Sequence, residues 1–139
     1  MELSVSQRIN VPIEEVFTYV ADFNHMADWR KSCDSSQTIE GETGGGDAVY
    51  EQKVAMMGRP ATNVVQITRF DQPTDIEFHI EGGPAIIDGC YRLSEEDSST
   101  MLTLELDAEL PKGLATVAEV MLKKQFAKDL EVLAATLEG

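Results

Sequence analysis

Among its 139 residues this chain has no apolar run near the roughly 20 residues that a membrane-crossing helix needs. Cysteine is scarce. Cys33 and Cys90 lie far apart in unlike contexts, which fits a reducing cytoplasm better than a disulfide scaffold. Basic residues are few as well: 11 Lys and Arg stand against 25 Asp and Glu, for a formal charge of −14. A field of that sign repels phosphate backbones and anionic membrane surfaces, so neither nucleic acid nor a membrane is an expected partner. The acid excess reads as solubility, with a salt-adapted host as the alternative. The opening MELSVSQRIN has neither a basic start nor an apolar core, so no secretory signal is expected and the location reads as cytoplasmic.

Hydrophobic residues make up 42% of the chain, enough for a proper core in one domain spanning 1–139. Residues 2–9 alternate, with Leu3, Val5 and Ile9 on one side and polar residues on the other. Pro12 opens a helix whose first turn carries Glu14 and Glu15, which suit the positive end of a helix dipole. Asp22, Phe23 and Asn24 interrupt it, and a second short helical turn runs to the lone tryptophan, Trp29. A polar edge strand is expected at 33–40. Further strands are expected at 47–57, 60–70, 75–81, 86–94 and 100–110, joined by turns such as MGRP, FDQPTD and EEDSS. From Leu114 to Leu137 the period becomes helical, with Leu114, Ala118, Met121, Leu122, Leu133 and Leu137 in one apolar arc.

The strand faces agree with one another. A hairpin turning at Gly58–Arg59 puts Tyr50, Gln52, Val54 and Met56 on the face that holds Ala61, Asn63, Val65 and Ile67. Glu51, Lys53 and Arg69 then fall on the other face. A turn centred on Asp97–Ser98 sets Ile87, Gly89, Tyr91 and Leu93 beside Leu102, Leu104, Leu106 and Ala108. Between these hairpins Ile76, Phe78 and Ile80 face in, while Glu77, His79 and Glu81 face out. One antiparallel sheet thus has one apolar face, and the last helix is the element large enough to cover it.

Several chemistries lack their residues. His25 sits in a polar turn and His79 faces outward, so no metal site or triad is expected. No serine lies in a G-x-S-x-G context. GETGGGDA at 41–48 lacks the lysine and hydroxyl of a phosphate-binding loop and reads as a connection between strands. Cys90, on the outer face, reads as a small buried residue rather than a nucleophile. No cofactor is expected.

The stretches INVPIEEVFTYVADFNHMADW, MMGRPATNVVQITRFDQP and CYRLSEEDSSTMLTLELDAELPKG, followed by a long amphipathic helix, resemble the START/Bet v 1-like (SRPBCC) superfamily. Within it, the chain looks like the bacterial polyketide cyclase/dehydrase and lipid-transport group. The resemblance implies an α+β helix-grip fold, in which a curved antiparallel sheet wraps the C-terminal helix and leaves a cavity. It makes the two short helices a V that closes one end of the sheet.

That cavity would be lined by Val65, Ile67, Leu104, Leu106 and Met121, with flat surface from Tyr50, Phe78 and Tyr91 and room left by Gly89. Polar groups would come from Gln52 and Asn63 on the sheet and from Gln125 and Asp129, four residues apart within the helical arc. For each apolar or aromatic residue taken singly, packing in a solid core is the plainer role; the alternative for the polar groups is that they satisfy one another or that Asp129 reaches water, and Trp29 reads as an anchor for the short helix or as cavity wall. Family members that cyclise polyketides are thought to use an inward arginine and tyrosines. Ile67 stands where that arginine is expected. The favoured reading is a binding or carrier module for a small hydrophobic or aromatic molecule, acting as monomer or homodimer. A cyclase or dehydratase is the alternative, and a protein-interaction module the second.

Overall fold

The computed structural model describes residues 1–56, 58–83, 85–109 and 115–139. Leu114 and the side chains of Met56 and Ala118, assigned above to inward faces, lie outside the described part. The order is β1 (Glu2–Ile9), α1 (Ile13–Ala21), a 3-10 turn (Phe23–His25), α2 (Met26–Trp29), β2 (Cys33–Glu40), β3 (Val49–Met56), β4 (Arg59–Asp71), β5 (Asp75–Glu81), β6 (Ile86–Glu96), β7 (Ser99–Glu109) and α3 (Ala115–Glu138). The seven strands form one antiparallel sheet ordered β1-β7-β6-β5-β4-β3-β2, with polar β2 at one edge.

Local chemistry explains the V of short helices. Pro12, which has no N–H to leave unpaired, begins α1, and its carbonyl accepts from the N–H groups of Glu15 and Val16 at 3.1 Å. Asp22 then turns extended, at φ −85° and ψ 95°, and its carboxylate accepts the Asn24 N–H at 3.0 Å. That capping bond stops one helix and starts the next turn. His25 stacks on Tyr19 with ring centroids 4.1 Å apart and donates from Nδ1 to the Tyr19 carbonyl. It clips the corner between the two arms.

The β6–β7 hairpin has the expected register: Glu96 pairs with Ser99, Tyr91 with Leu104 and Gly89 with Leu106. Asp97 takes the turn's left-handed position, with φ 55°. The β3–β4 hairpin is shifted. Met56 pairs with Arg59, and Tyr50 opposes Val65 rather than Ile67. Gly58, at φ +80°, occupies the turn itself, which leaves Arg59 in the strand. A shift of two residues preserves side-chain parity, so Tyr50, Gln52 and Val54 still share the inner face with Asn63, Val65 and Ile67.

Helix α3 packs along β1 and against α2. Its buried side chains among the described residues are Phe126, Asp129, Leu130, Leu133 and Ala134, from the middle of the helix onward. Met121, placed above on the covered arc, is 56% exposed. The seat is therefore displaced toward the helix's end, where β1 and α2 close on it.

Candidate functional site

Where α3 leaves the sheet, a cavity of about 530 Å³ remains between them. Its size falls within the roughly 300–1,000 Å³ common for small-molecule sites. Phe78 and Ile80 of β5, Ile87 and Tyr91 of β6 and Leu104 and Leu106 of β7 form the floor. Met121, Leu122, Gln125 and Phe126 of α3 form the roof. Val54, Ala55, Gly58 and Asn63 close one side, and Arg30, Lys31 and Ser32, between α2 and β2, close another.

Of the candidates from the sequence, Asn63, Phe78, Tyr91, Leu104, Leu106, Met121 and Gln125 meet at this wall. The rest lie elsewhere. Tyr50 is buried beneath the short helices, where its hydroxyl accepts the Gly44 N–H at 3.0 Å and donates to the Ala21 carbonyl at 3.3 Å. Gln52 donates from Nε2 to the Phe23 carbonyl and the Ser36 hydroxyl, both at 3.3 Å. These polar side chains fasten the V to the sheet and have little capacity left for a ligand. Val65 and Ile67 are core residues, and Trp29 packs edge-on to Tyr91 at 6.4 Å. Gly89 faces inward, but Phe78 fills the room it leaves. A Cβ there would fall within the end of the Phe78 ring and 2.8 Å from Leu106 Cδ2.

Asp129 is 2% exposed and stands just behind the roof. Its Oδ1 accepts from Gln125 Nε2 at 2.8 Å and from the Lys31 N–H at 3.2 Å. The pair on α3 thus ties the helix to the residue after Arg30, and Gln125 keeps its amide oxygen free of that bond. Asp129 Oδ2 has no partner among the described residues.

Burial drives the Tyr91 hydroxyl well above the ordinary tyrosine pKa; Asp129 adds to the rise and Arg30 opposes it. A base working near neutrality needs the opposite shift. The Tyr91 hydroxyl stays protonated near neutral pH. On the outer face, burial pushes the Cys90 thiol up to about 11, which leaves it protonated and a poor nucleophile. In loop 41–48 two amides are spent within the loop, Glu42 N–H on Asp47 Oδ1 and Gly45 N–H on the Glu42 carbonyl. Neither is left for a phosphate. Among the described residues no cluster of His, Cys, Asp and Glu could hold a metal, and no helix is long and apolar enough to cross a membrane.

Arg30, Lys31 and Ser32 escaped the sequence reading, as did Phe126. The available signal was one of charge: two adjacent basic residues directly after the lone Trp29, in a chain short of basic residues.

The family model described as "Polyketide cyclase / dehydrase and lipid transport" matches residues 1–138. The chain belongs to that family. No curated protein sequence matches it. Among solved structures, a Thermus thermophilus protein is similar at 17% identity and a TM-score of 0.86, over 99% of this chain and 97% of that one. A START superfamily protein from Mycobacterium smegmatis reaches 0.76 at 19% identity, over 99% and 94%. An aromatase/cyclase from a Streptomyces species reaches 0.78 at 16% identity, over 99% and 93%. At such identities the likeness is one of fold. The seven-stranded sheet, the V and the C-terminal helix are those of the START/Bet v 1 fold.

Proposed function

We propose that this member of the family binds and carries a small hydrophobic molecule in the cavity between the sheet and α3. The observation behind this reading is the cavity itself, about 530 Å³ with Phe78, Ile80, Ile87, Leu104, Leu106, Leu122 and Phe126 in its wall. Transfer of apolar ligand surface from water to such a wall is favourable at about 25 cal/mol per Å². The uncharged polar wall groups Ser32, Asn63, Tyr91 and Gln125, with Arg30 and Lys31 at one side, are few enough to orient a ligand without making the space hydrophilic.

The aromatase/cyclase neighbour raises catalysis as the other use of such a space. Against it stand Ile67, an aliphatic residue where cyclising members would have arginine, and the Tyr91 hydroxyl, shifted away from neutral pH. Carriage needs neither.

The neutral dye N-phenyl-1-naphthylamine tests the reading. One-to-one, saturable binding with a blue-shifted emission is expected. Leu122→Trp, which fills the roof from a half-buried position, should weaken binding about tenfold or more while the protein stays folded, because it takes ligand volume. Absent binding, or binding unchanged in a folded Leu122→Trp protein, refutes it.

A further inference from the structure

We propose that the cavity selects an amphiphile with a carboxylate head, seated at Arg30 and Lys31 with its apolar body along Phe78, Leu104 and Leu106. The inference rests on the binding role proposed above and adds the charge of the ligand. Its ground is an inversion of charge. The chain carries 25 acidic and 11 basic residues, yet the charged residues in the described cavity wall are the half-buried Arg30 and the exposed Lys31, both cationic. A hollow on the outer face shows the opposite, with Glu2, Glu77, Asp88, Glu105 and Asp107 around it.

Arg30 is also unspent. Arg8, Arg69 and Arg92 each pair with carboxylates on the outer surface. Arg30 forms no ion pair among the described residues. Its Nη2 donates to the Ser32 hydroxyl at a long 3.4 Å, and its buried Nε has no partner. The guanidinium carbon lies 5.1 Å from the centroid of the Phe126 ring, in the roof of the same cavity. Stacking of this kind holds the planar group while leaving its N–H edge for a planar anion. Asp129, the carboxylate of this neighbourhood, does not take that role. Its Oδ1 holds Lys31 N–H and Gln125, it is not ion-paired to Arg30, and it stands outside the wall.

Displacement of bound N-phenyl-1-naphthylamine by dodecanoate and by dodecan-1-ol, which share an apolar tail, isolates the head group. Dodecanoate is expected to bind about tenfold or more tightly than the alcohol, against the repulsion of the protein's net charge. Added salt should erode that preference without weakening the alcohol. Arg30→Gln should remove most of the dodecanoate-over-dodecanol preference, with Arg30→Lys restoring part of it. Dye that binds and is displaced equally well by both ligands, better by the alcohol or by neither overturns the carboxylate assignment while leaving the cavity in use. A preference intact in Arg30→Gln overturns the role of Arg30. Dye that does not bind at all brings down the binding role itself.

Discussion

The two ends of the inner face are built from the same alternation of apolar residues and end up differently. Beneath the V, Phe23 stacks on Tyr50 at 5.3 Å and meets Phe78 and Tyr91 edge-on, and Gln52 and Tyr50 bond to the helix backbones. That end is solid. At the other end β5, β6 and β7 present Ile80, Ile87 and Leu106 to a cavity, with Met121, half-buried Leu122 and Phe126 of α3 above it. A strand pattern decides which face is covered; the distance of the covering helix decides whether the cover touches it. Phe78 and Tyr91 stand at the border, each with contacts to Phe23 and a place in the cavity wall.

Truncations should separate the two ends most sharply. Phe23→Ala removes a fully buried ring from the solid end and should cost about 3–5 kcal/mol in urea unfolding. Met121→Ala at the roof should change stability by no more than about 0.5 kcal/mol, since the side chain is already largely in water. Similar losses at both positions would mean that the roof is as tightly packed as the V.

The border can be probed with Gly89→Ala. The new Cβ must push the end of the Phe78 ring toward the cavity, so a loss of about 1–3 kcal/mol is expected together with weaker dye binding. Loss of stability with unaltered binding would show that the ring moves elsewhere. Asp129→Leu tests the tie between α3 and the cationic corner. It strands the Lys31 N–H and should destabilise by about 1–3 kcal/mol, whereas Asp129→Asn, with its amide oxygen in place of Oδ1, should lose much less. Equal losses would place the importance in the charge rather than in the bond.

The smallest effect is expected outside both regions. His79 bridges Asp88 at 2.7 Å and Glu81 at 3.2 Å on the outer face, and these hydrogen bonds raise its pKa above the ordinary value. A raised histidine pKa stabilises the fold below the unfolded value of about 6.5, and the gain is lost as pH rises through the folded value. His79→Gln should therefore lower the melting temperature slightly near pH 6 and not near pH 9, solvent screening keeping the effect small. An equal drop at both values would point to packing instead.

Most of the fold was legible in the chain because its signals are local and repeated. Alternation marked the inner faces of β3 to β7, Pro12 marked the start of α1, Asp22 to Asn24 marked its end, and Asp97 set the β6–β7 turn. The site was legible in part. Asn63, Phe78, Tyr91, Leu104 and Leu106 reach the wall because strand parity places them inward, and Met121 and Gln125 because the helical period puts them on the arc that turns toward the sheet. Tyr50 and Gln52 share that parity, yet they are covered by the V, whose position along the sheet no periodicity encodes. Asp129 sat correctly on the inner arc, but its bond to a backbone 98 residues away depends on how α3 crosses α2.

The sequence by itself determined which residues face inward, where the helices begin and that cations would be rare, for these depend on composition and on neighbours a few positions apart. Tertiary structure decided where that inward face is filled and where it is hollow, and it brought the scarce cation Arg30 against Phe126, nearly a hundred residues later in the chain. Both follow from the path of one helix over a curved sheet. That path is fixed by the summed packing of Leu130, Leu133 and Ala134 on elements distant in sequence, and no short stretch of the chain carries it.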